Sequence, residues 1–252
     1  MSDSGSKAYF ATTRPHLLAH RGLSQHQVGI DENSLASFEQ ALAHGATHIE
    51  SDVHATKDGI AVLFHDDDLE RVAALPLKIS DLTFAELSDI TLSSGSKVPS
   101  LREALERFPT LRLNLDVKAK AGCEPTAKVV NQLNAHDRVL ISSFSRSRKL
   151  NTLKLLTRSV ATSSSSIEVL GLWLTNMFFG IGFGSIAKNF DAIQIPRGLG
   201  FIRLDTPSFI ARARKHGLEV HFWTVNDPAE GKALIALGAT GIVSDRVDLF
   251  RF

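Results

Sequence analysis

Short apolar runs alternate with longer amphipathic stretches along most of the chain. The runs are rich in Val, Ile, Leu and Phe and are bounded by Gly, Pro or charged residues, a pattern that predicts buried β-strands. Eight such strands are predicted, at His16–His20, His48–His54, Arg112–Lys118, Val139–Ser143, Ser159–Ser163, Asp191–Ile195, Glu219–Val225 and Gly241–Ser244.

Helical periodicity occupies the gaps between these runs. In Ser34–His44 the side chains of Leu35, Phe38 and Leu42 share one face, and Gly45 follows as a helix stop. Further helices are predicted at Ser100–Phe108, Thr126–Asn134, Thr206–His216 and Pro228–Leu237. Eight strand–helix units over about 240 residues favour an α/β fold with a single (β/α)8 barrel of the TIM type. A doubly wound sheet uses the same alternation but fits this length less well.

The two ends of the chain and one connection depart from this repeat. Residues 1–13 are small and polar and predict a flexible N-terminal leader, so that the barrel domain spans 14–252. The stretch Asp66–Pro99 predicts a short insertion after the second strand, with a helix near Phe84–Ile90. Eight residues follow Ser244, which leaves room for only a stub in place of the eighth helix.

Composition narrows the class of protein and its partners. Apolar residues make up 43% of the chain and charged residues 22%, which are values of a folded globular protein. The 28 basic and 27 acidic residues leave a net charge of +1, so no whole-protein field attracts nucleic acid. The single cysteine, Cys123, excludes a disulfide framework and a CxxC zinc site. Because the first residues hold no apolar signal segment, we expect the protein in the cytoplasm.

Acidic, basic and imidazole side chains gather at the predicted ends of the first three strands. Glu50 and Asp52 are two residues apart on one strand and therefore share a face, as do Asp116 and Lys118 on another. In a barrel of this type the C-terminal strand ends build the functional site. Carboxylates that point inward together repel each other unless a cation lies between them, and their oxygens favour Mg²⁺ or Ca²⁺ over zinc.

The remaining groups indicate what such a site would act on. Arg21 and Lys118 suit an anionic substrate, for which phosphate is the natural choice. His20 and His65 can exchange protons with a nucleophile and a leaving group near neutral pH. Together the parts describe metal-assisted phosphoryl transfer from a diester.

The order of these motifs resembles the glycerophosphodiester phosphodiesterase family from His16 to about Asp248. The motifs are His20-Arg21-Gly22, Glu32-Asn33-Ser34, Glu50-x-Asp52-Val53, Thr56-x-Asp58-Gly59, His65-Asp66, Pro99-Ser100-Leu101, Asp116-x-Lys118 and Trp223-Thr224-Val225-Asn226. Each motif is short, but eight in order at compatible spacing form a specific signal. Members of that family are (β/α)8 barrels that hydrolyse glycerophosphodiesters to glycerol 3-phosphate and an alcohol.

The resemblance also implies a role for each candidate site residue. It implies His20 and His65 as the acid–base pair, Glu50, Asp52 and Asp116 as ligands of a divalent metal ion, Arg21 and Lys118 as phosphate contacts, Trp223 as an apolar wall beside the glycerol, and Glu32 as an indirect metal ligand or a support of the site. Neither the choice between Mg²⁺ and Ca²⁺ nor the choice between water and the substrate's own 2-hydroxyl as nucleophile follows from it.

Three features depart from the family pattern. The family usually has Glu where Asp116 stands, and the shorter side chain shifts the ion or admits a water. The segment Ser24–Ile30 lengthens the connection between His20 and Glu32. The insertion after the second strand is short, which leaves the site more open and weakens an inference of specificity for small diesters.

Several alternatives stay open at the level of sequence. His20 could be a strand-end histidine held by a carbonyl, Asp116 and Lys118 a plain ion pair, and Trp223 a core residue. A lysophospholipase D would use the same residues on a lipid-tailed substrate. A non-catalytic barrel that binds metal or phosphate is the alternative from another class. The oligomeric state is not fixed by the sequence.

The segment 138–187 offers one further interpretation. Residues 138–158 carry six cations and no acid, and residues 169–187 carry no charge. The second stretch approaches the length of a membrane span, but its polar residues and four glycines, and its place between two barrel strands, argue against one. The alternatives are peripheral contact with the inner membrane surface or an acyl chain, and a buried helix with a solvated basic neighbour.

Overall fold

Thirteen strands are present in residues 8–24, 29–200 and 202–252, the parts of the chain that the computed structural model describes. They are β1 His16–His20, β2 His48–Ala55, β3 Ala61–Leu63, β4 Asp68–Leu69, β5 Leu75–Lys78, β6 Leu113–Val117, β7 Val139–Ser142, β8 Ala161–Thr162, β9 Ala192–Ile195, β10 Gly198–Leu199, β11 Ile202–Arg203, β12 Glu219–Phe222 and β13 Gly241–Ser244.

Eight of these strands pair in parallel around a barrel, in the order β8-β7-β6-β2-β1-β13-β12-β9. A single bridge between Ser163 and Ala192 joins the two ends of the series. The predicted (β/α)8 fold is therefore confirmed, with each of its eight strands overlapping a predicted one. The second and sixth connections carry short antiparallel additions, of which the β10–β11 hairpin in the sixth lies beside the cavity described below.

Ten α-helices lie wholly within the described residues. They are α1 Leu35–Ala43, α2 Glu70–Ala73, α3 Phe84–Asp89, α4 Leu101–Arg107, α5 Cys123–Gln132, α6 Arg146–Lys154, α7 Ser166–Met177, α8 Phe183–Ala187, α9 Pro207–Lys215 and α10 Pro228–Ala236. Of these, α2 and α3 belong to the insertion described below, and the others pack around the barrel. Their apolar faces and the outward faces of the strands form one main core, which includes Phe38, Phe209 and Leu234. After β13 a 3-10 turn at Val247–Leu249 takes the place of an eighth helix, as predicted.

The insertion after β2 folds as a small unit of its own. It contains β3 antiparallel to β2, the β4–β5 hairpin, and the helices α2 and α3, the second of which matches the predicted helix near Phe84–Ile90. Val62, Leu69, Ile79 and Leu87 form a separate apolar cluster beneath these elements. The insertion thus has its own apolar core and does not interrupt the order of parallel strands in the barrel.

Part of the predicted leader packs on the barrel. Residues 1–7 lie outside the described residues, but Tyr9 is fully buried and its carbonyl accepts a hydrogen bond from His48 Nε2 at 3.1 Å. Tyr9 clusters with Leu140, Ala161 and Ala192 of three barrel strands. The aromatic ring of Tyr9 removes apolar area from water, so this part of the chain is not a flexible leader.

The apolar segment 169–187 forms most of α7, a turn and α8, and no helix among the described residues is long and apolar enough to cross a membrane. The basic stretch before it is not a free cationic surface. Five of its six cations have partners within the molecule: Arg138 on carbonyl oxygens, Arg146 and Lys149 on Glu168, Arg148 on the carbonyl of Lys118, and Arg158 on Asp137.

Candidate active site

The strand register brings the predicted site residues together at the C-terminal mouth of the barrel. His20 of β1 lies beside Glu50 of β2, and Asp52 of β2 lies beside Asp116 of β6. A cavity of about 460 Å³ opens there. Eight of the nine candidate residues line it, namely His20, Arg21, Glu50, Asp52, His65, Asp116, Lys118 and Trp223. The interpretation of these residues as one cluster therefore agrees with the geometry.

The His-Arg-Gly sequence forms a tight turn at the end of β1. Arg21 has a φ of +58° and Gly22 a φ of +82°, both in the left-handed region. A Cβ at Gly22 would lie 2.8 Å from the backbone carbon of Ser37, so only glycine lets α1 approach this closely. The turn is the reason why these three residue types occur together: it places His20 and Arg21 on the cavity wall while α1 packs behind them.

Asp52 is the most heavily partnered carboxylate of the site. Lys118 Nζ lies 2.8 Å from Asp52 Oδ1 and 2.8 Å from Asp116 Oδ2, and Arg21 Nε lies 3.3 Å from Asp52 Oδ2. Asn33 donates a further hydrogen bond from Nδ2 to Asp52 Oδ2 at 3.2 Å. Burial would lower the pKa of Lys118, but its two carboxylate neighbours outweigh burial and raise it. Asp116 and Lys118 thus form an ion pair, a contact that leaves their proposed roles toward a metal ion and a phosphate untested.

Glu50 and Asp116 have fewer partners than Asp52. Burial, reinforced by the charge of Asp52, raises the pKa of Glu50 to about 8. Burial also raises the pKa of Asp116, against the opposing effect of Lys118. Glu50 Oε2 and Asp116 Oδ1 are buried without a hydrogen-bond partner among the residues that the structure describes. Buried oxygens of this kind are costly unless another group contacts them.

Each of the two histidines is held by a carboxylate. His20 donates from Nδ1 to Asp245 Oδ1 at 2.6 Å, and its Nε2 lies 3.9 Å from Glu50 Oε2. Burial would lower the pKa of His20, but the bond to Asp245 and the charge of Glu50 outweigh burial and raise it. His65 donates from Nδ1 to Asp66 Oδ1 at 2.6 Å. Both rings therefore keep Nε2 for other partners.

Glu32 lies behind the cavity in an ion-pair network and not on its wall. Its Oε1 accepts from Arg21 Nη1 at 3.1 Å and from Arg71 Nη2 at 2.6 Å. Arg71 also donates to Asp66 Oδ2 at 2.6 Å. Through these bonds Glu32 links the arginine that follows β1 to the carboxylate that holds His65.

The wall opposite the carboxylates is largely apolar. Trp223 is half-buried on the cavity wall, and its ring packs edge-on against Phe144 with centroids 5.9 Å apart. Val169, Leu170 and Trp173 of α7 line the same cavity, as do Leu199 and Ile202 of the β10–β11 hairpin. Trp223 is therefore a wall residue and not part of the main core.

Sequence reasoning missed three residues that hold the site in place. Asp245 orients His20, Asn33 bonds both Asp52 and, through Oδ1, the hydroxyl of Ser51, and Arg71 joins Glu32 to Asp66. Asn33 stands in the quoted Glu-Asn motif, which was the signal available for it. His20 ends the first barrel strand and Asp245 directly follows the last, so the pairing of these two strands in a closed barrel was the signal for their contact.

Some of the quoted motifs are structural. In Pro99-Ser100-Leu101 the serine caps α4: Ser100 Oγ accepts from Glu103 N at 3.1 Å, and Glu103 Oε2 accepts from Ser100 N at 2.7 Å. In Thr56-x-Asp58-Gly59 the threonine hydroxyl donates to Asp58 Oδ1 at 2.6 Å within a turn. Neither motif lines the cavity.

A separate cluster of possible metal donors lies at the opposite, N-terminal end of the barrel. One donor atom each from His16, Glu219 and His221 lies within 4.8 Å of the others, and all three residues are buried. Glu219 Oε1 already pairs with Arg14 and with Arg214, the latter at 3.4 Å. This cluster is distinct from the predicted ligands Glu50, Asp52 and Asp116. Both arginines contact Glu219 Oε1, whereas Glu219 Oε2 and His16 Nε2 are buried without a hydrogen-bond partner among the described residues.

Comparison with known proteins agrees with the geometry. Residues 20–249 match the model of the glycerophosphoryl diester phosphodiesterase family. A Mycobacterium tuberculosis protein named "Probable glycerophosphodiester phosphodiesterase 2" is 36% identical over 236 residues, which cover 93% of this chain and 88% of the relative. The human protein named lysophospholipase D GDPD1 is 25% identical over 275 residues, covering 90% and 82% of the two chains.

A solved structure extends the comparison to three dimensions. An Oleispira antarctica phosphodiesterase in complex with the product sn-glycerol-3-phosphate has a TM-score of 0.73 and 26% identity, covering 93% of this chain and 94% of its own. The match of the family model spans every candidate site residue and all the barrel strands after β1. The chain therefore belongs to the glycerophosphoryl diester phosphodiesterase family and is an enzyme, a phosphoric diester hydrolase of the glycerophosphodiester phosphodiesterase type.

Proposed function

We propose that the enzyme hydrolyses glycerophosphodiesters to glycerol 3-phosphate and an alcohol, with a divalent metal ion and two histidines as the acid–base pair. Glu50, Asp52 and Asp116 would hold the ion, which is Mg²⁺ or Ca²⁺. When bound, the ion supplies positive charge to the phosphate oxygens and lowers the barrier to displacement. Arg21 and Lys118 add fixed positive charge beside the same oxygens.

One observation carries the assignment of the metal ligands. Glu50 Oε2 and Asp116 Oδ1 are buried at the base of the cavity and have no hydrogen-bond partner among the described residues. Lys118 and Arg21 lie against Asp52 at 2.8 and 3.3 Å, whereas the only ion-pair partner of Glu50 in the described residues is His20, whose Nε2 is 3.9 Å from Glu50 Oε2. Hard oxygen donors with unused lone pairs fit a hard divalent ion. The residues present therefore suit the proposed cofactor.

The two histidines would move the protons of the reaction. Asp245 and Asp66 hold Nδ1–H of His20 and His65, so in each ring Nε2 is the atom that takes or gives a proton. One ring would take the proton of the nucleophile while the other protonates the leaving alkoxide. Water and the substrate's 2-hydroxyl remain the two candidate nucleophiles, and either histidine can serve as the acid.

Glycerophosphocholine is the substrate with which to test this proposal. We expect release of choline and glycerol 3-phosphate, loss of both with EDTA, and recovery with excess Mg²⁺ or Ca²⁺. His20→Ala and His65→Ala should each lower kcat by at least about 10²-fold, because a general acid or base contributes roughly 10²–10⁴. His44→Gln, outside the cavity, is the control. Near-normal turnover in either alanine variant would remove that histidine from the mechanism.

Lysophospholipids are the second candidate substrates. The supporting observation is the apolar wall formed by Val169, Leu170 and Trp173, which a water-soluble glycerophosphodiester does not need. A chain of methylenes on this wall would contribute about 0.8 kcal/mol per buried CH₂. The name of the human relative points in the same direction.

Substrate pairs separate the candidates. With lysophosphatidylcholine and glycerophosphocholine offered side by side, Leu170→Gln should lower kcat/KM for the lysolipid by about tenfold and leave the soluble diester unchanged. Equal effects on both substrates would contradict an acyl site on α7. Activity on neither substrate with metal supplied would favour a barrel that binds metal or phosphate without catalysis. A cytoplasmic location stays a prediction.

A further inference from the structure

Two histidines and a glutamate meet at the N-terminal end of the barrel, away from the active-site cavity. His16 begins β1, and Glu219 and His221 lie two residues apart on β12. One donor atom from each residue lies within 4.8 Å of the others. Both histidines are fully buried, and Glu219 is 6% exposed. Two imidazoles and a carboxylate are a ligand set that holds zinc in several enzymes.

A glycine on the strand between them lets the two rings meet. Gly241 of β13 is in register with His16 on one side and with His221 on the other. A Cβ at Gly241 would lie 2.8 Å from Cδ2 of His221 and 3.0 Å from Cβ of His16. The missing side chain therefore provides the space in which the rings approach each other across an intervening strand.

The separation of the rings equals the spacing of nitrogen ligands on zinc. Zinc binds imidazole nitrogen at about 2.0–2.1 Å in tetrahedral geometry, which sets two nitrogen ligands roughly 3.3 Å apart. His16 Nδ1 lies 3.3 Å from His221 Nε2. A hydrogen bond between two neutral rings is the alternative explanation, and it leaves the neighbouring carboxylate unexplained.

The carboxylate has an unused oxygen. Glu219 Oε2 is buried and has no hydrogen-bond partner in the part of the chain that the structure describes. A buried carboxylate oxygen without a partner is costly, and a hydrogen bond between the rings would do nothing to relieve that cost. A cation held by both rings would lie within reach of this carboxylate and would give the oxygen a partner.

The charges around the cluster favour a zinc-type ion over Mg²⁺ and Ca²⁺. Arg14 and Arg214 contact Glu219 Oε1, and their charge weakens the attraction for any cation. Neither arginine needs Oε2, because Arg14 is half exposed and Arg214 also donates to the carbonyl of Leu218 at 2.6 Å. Affinity must therefore come from the imidazoles, which select Zn²⁺ and similar transition-metal ions.

Gln194 lies behind one of the two rings. Its amide nitrogen is 3.4 Å from His221 Nδ1, the nitrogen that does not face His16. With the amide turned so that its oxygen faces the ring, Gln194 would accept the Nδ1 proton and fix the orientation of a metal-bound His221. Histidine ligands of metals are usually supported in this way.

We propose that His16, Glu219 and His221 form a second metal site, selective for Zn²⁺ or a similar transition-metal ion, that ties β1 to β12 across β13. The site is separate from the proposed ligands of the active site and does not depend on the proposed reaction. An ion bound to both strands would stabilise the folded barrel, because the unfolded chain does not bring the three ligands together.

Cobalt(II) is the probe, because four-coordinate Co²⁺ with imidazole ligands absorbs visible light strongly and six-coordinate Co²⁺ with oxygen ligands absorbs it weakly. The full chain is stripped with EDTA, supplied with excess Mg²⁺ and titrated with Co²⁺. We expect strong absorption that saturates at one equivalent and is displaced by Zn²⁺. His16→Gln and His221→Gln should each weaken binding at least about 100-fold, since even groups behind metal ligands contribute about 10–100-fold.

Three further variants serve as matched comparisons. Glu219→Gln keeps the shape of the side chain, so it should fold normally and bind Co²⁺ at least about tenfold more weakly. His48→Gln changes a neighbouring buried ring, 5.0 Å from that of His16, whose two nitrogens already have partners, and it should bind like the wild type. Glu50→Gln should lose hydrolysis of glycerophosphocholine and keep the strong absorption.

The outcomes separate the second site from the proposed reaction. Weak absorption in the wild type, or equal binding by the wild type and the folded histidine variants, would overturn the second site. Circular dichroism checks the fold, and Glu219→Gln decides the case in which a histidine variant does not fold. Loss of the strong absorption in Glu50→Gln would assign the ion to the active site instead. Strong absorption without any hydrolysis by the wild type would count against the proposed reaction alone.

Discussion

A hydrogen bond joins His20, at the end of the first barrel strand, to Asp245, which follows the last barrel strand. The imidazole at the end of β1 donates from Nδ1 to Oδ1 of the carboxylate that follows β13, over 2.6 Å. The two strands are parallel neighbours, so residues 225 positions apart in the sequence become adjacent. Asp245 Oδ2 in turn accepts from Asn226 Nδ2 at 2.8 Å, so the carboxylate is itself fixed.

The first prediction concerns this pair. Asp245→Asn should lower kcat by at least about tenfold, because an amide can turn its NH₂ toward His20 and favour the tautomer with the proton on Nε2. KM and the midpoint of thermal unfolding should change little, since the side chain keeps its shape. Steady-state kinetics on glycerophosphocholine measure the effect, with Asp248→Asn on the next turn as the control. Unchanged kcat would show that Asp245 does not position His20 for catalysis.

The sequence is enough to predict which side chains share a face of one strand. It is not enough to predict which side chains from distant strands contact each other. Glu50 and Asp52 share a face because strands alternate, so their convergence was predictable. The partner of His20 was not, because the pairing of β1 with β13 is a long-range contact. Tyr9 illustrates the same limit: the short Ala-Tyr-Phe-Ala run at residues 8–11 is too brief to show a periodicity, and only the tertiary structure shows Tyr9 buried.

The basic stretch at residues 138–158 shows a different limit. A count of charges suggests a cationic surface, but Lys149 lies 2.6 Å from Glu168 and Arg148 donates to the carbonyl of Lys118. Glu168 lies ten positions beyond the end of that stretch, at the start of α7. The number of charges in a stretch of sequence therefore does not show whether those side chains form an exposed charged surface, because their ion-pair partners can come from the next helix.

Metal binding should be visible without catalysis. A ligand that binds the native state at about 100 times its Kd adds about 2.7 kcal/mol to the free energy of unfolding. For a chain of this size that corresponds to a rise of roughly 5–10 °C in the thermal midpoint. We expect such a rise with Mg²⁺ or Ca²⁺ alone, and its loss in Glu50→Gln and in Asp116→Asn.

Two further variants complete the metal test. Asp89→Asn, an exposed change at the end of α3, should respond to the ions like the wild type. Asp116→Glu restores the residue usual in the family and should retain the response. An equal rise in all the variants would mean that the ions bind elsewhere, for instance at the N-terminal end of the barrel.

Two glycines should differ in how much stability the protein loses when each is replaced by alanine, because only Gly22, in the turn after β1, lies against a helix. Gly22 and Gly45 both have positive φ, at +82° and +93°, so alanine is strained at either site. A Cβ at Gly45 would meet nothing within 4 Å, whereas at Gly22 it would lie 2.8 Å from the Ser37 backbone. Gly22→Ala should therefore destabilise the protein by about 1–3 kcal/mol more than Gly45→Ala does. Urea unfolding of both variants measures the difference, and equal losses would contradict the close approach of α1.

Acid stability should depend on the buried histidines at the N-terminal end of the barrel. The rings of His16 and His48 have centroids 5.0 Å apart, and those of His16 and His221 have centroids 5.5 Å apart. Burial, together with neighbouring positive charge, lowers the pKa of His48 to about 3. Burial lowers the pKa of His16 to about 4 and that of His221 well below its ordinary value.

The sign of the pH effect follows from these shifts. Above pH 6.5 the three rings are neutral in both the folded and the unfolded chain, so they add no pH dependence. Between pH 6.5 and about 4 the unfolded chain binds protons that the folded chain does not, so the free energy of unfolding falls as the pH falls. At pH 5 the loss is about 2 kcal/mol for each ring that stays neutral. Urea unfolding at pH 7.5 and pH 5 should show this loss, and His48→Gln should reduce it. The same dependence on pH in wild type and variant would mean that other groups govern acid unfolding.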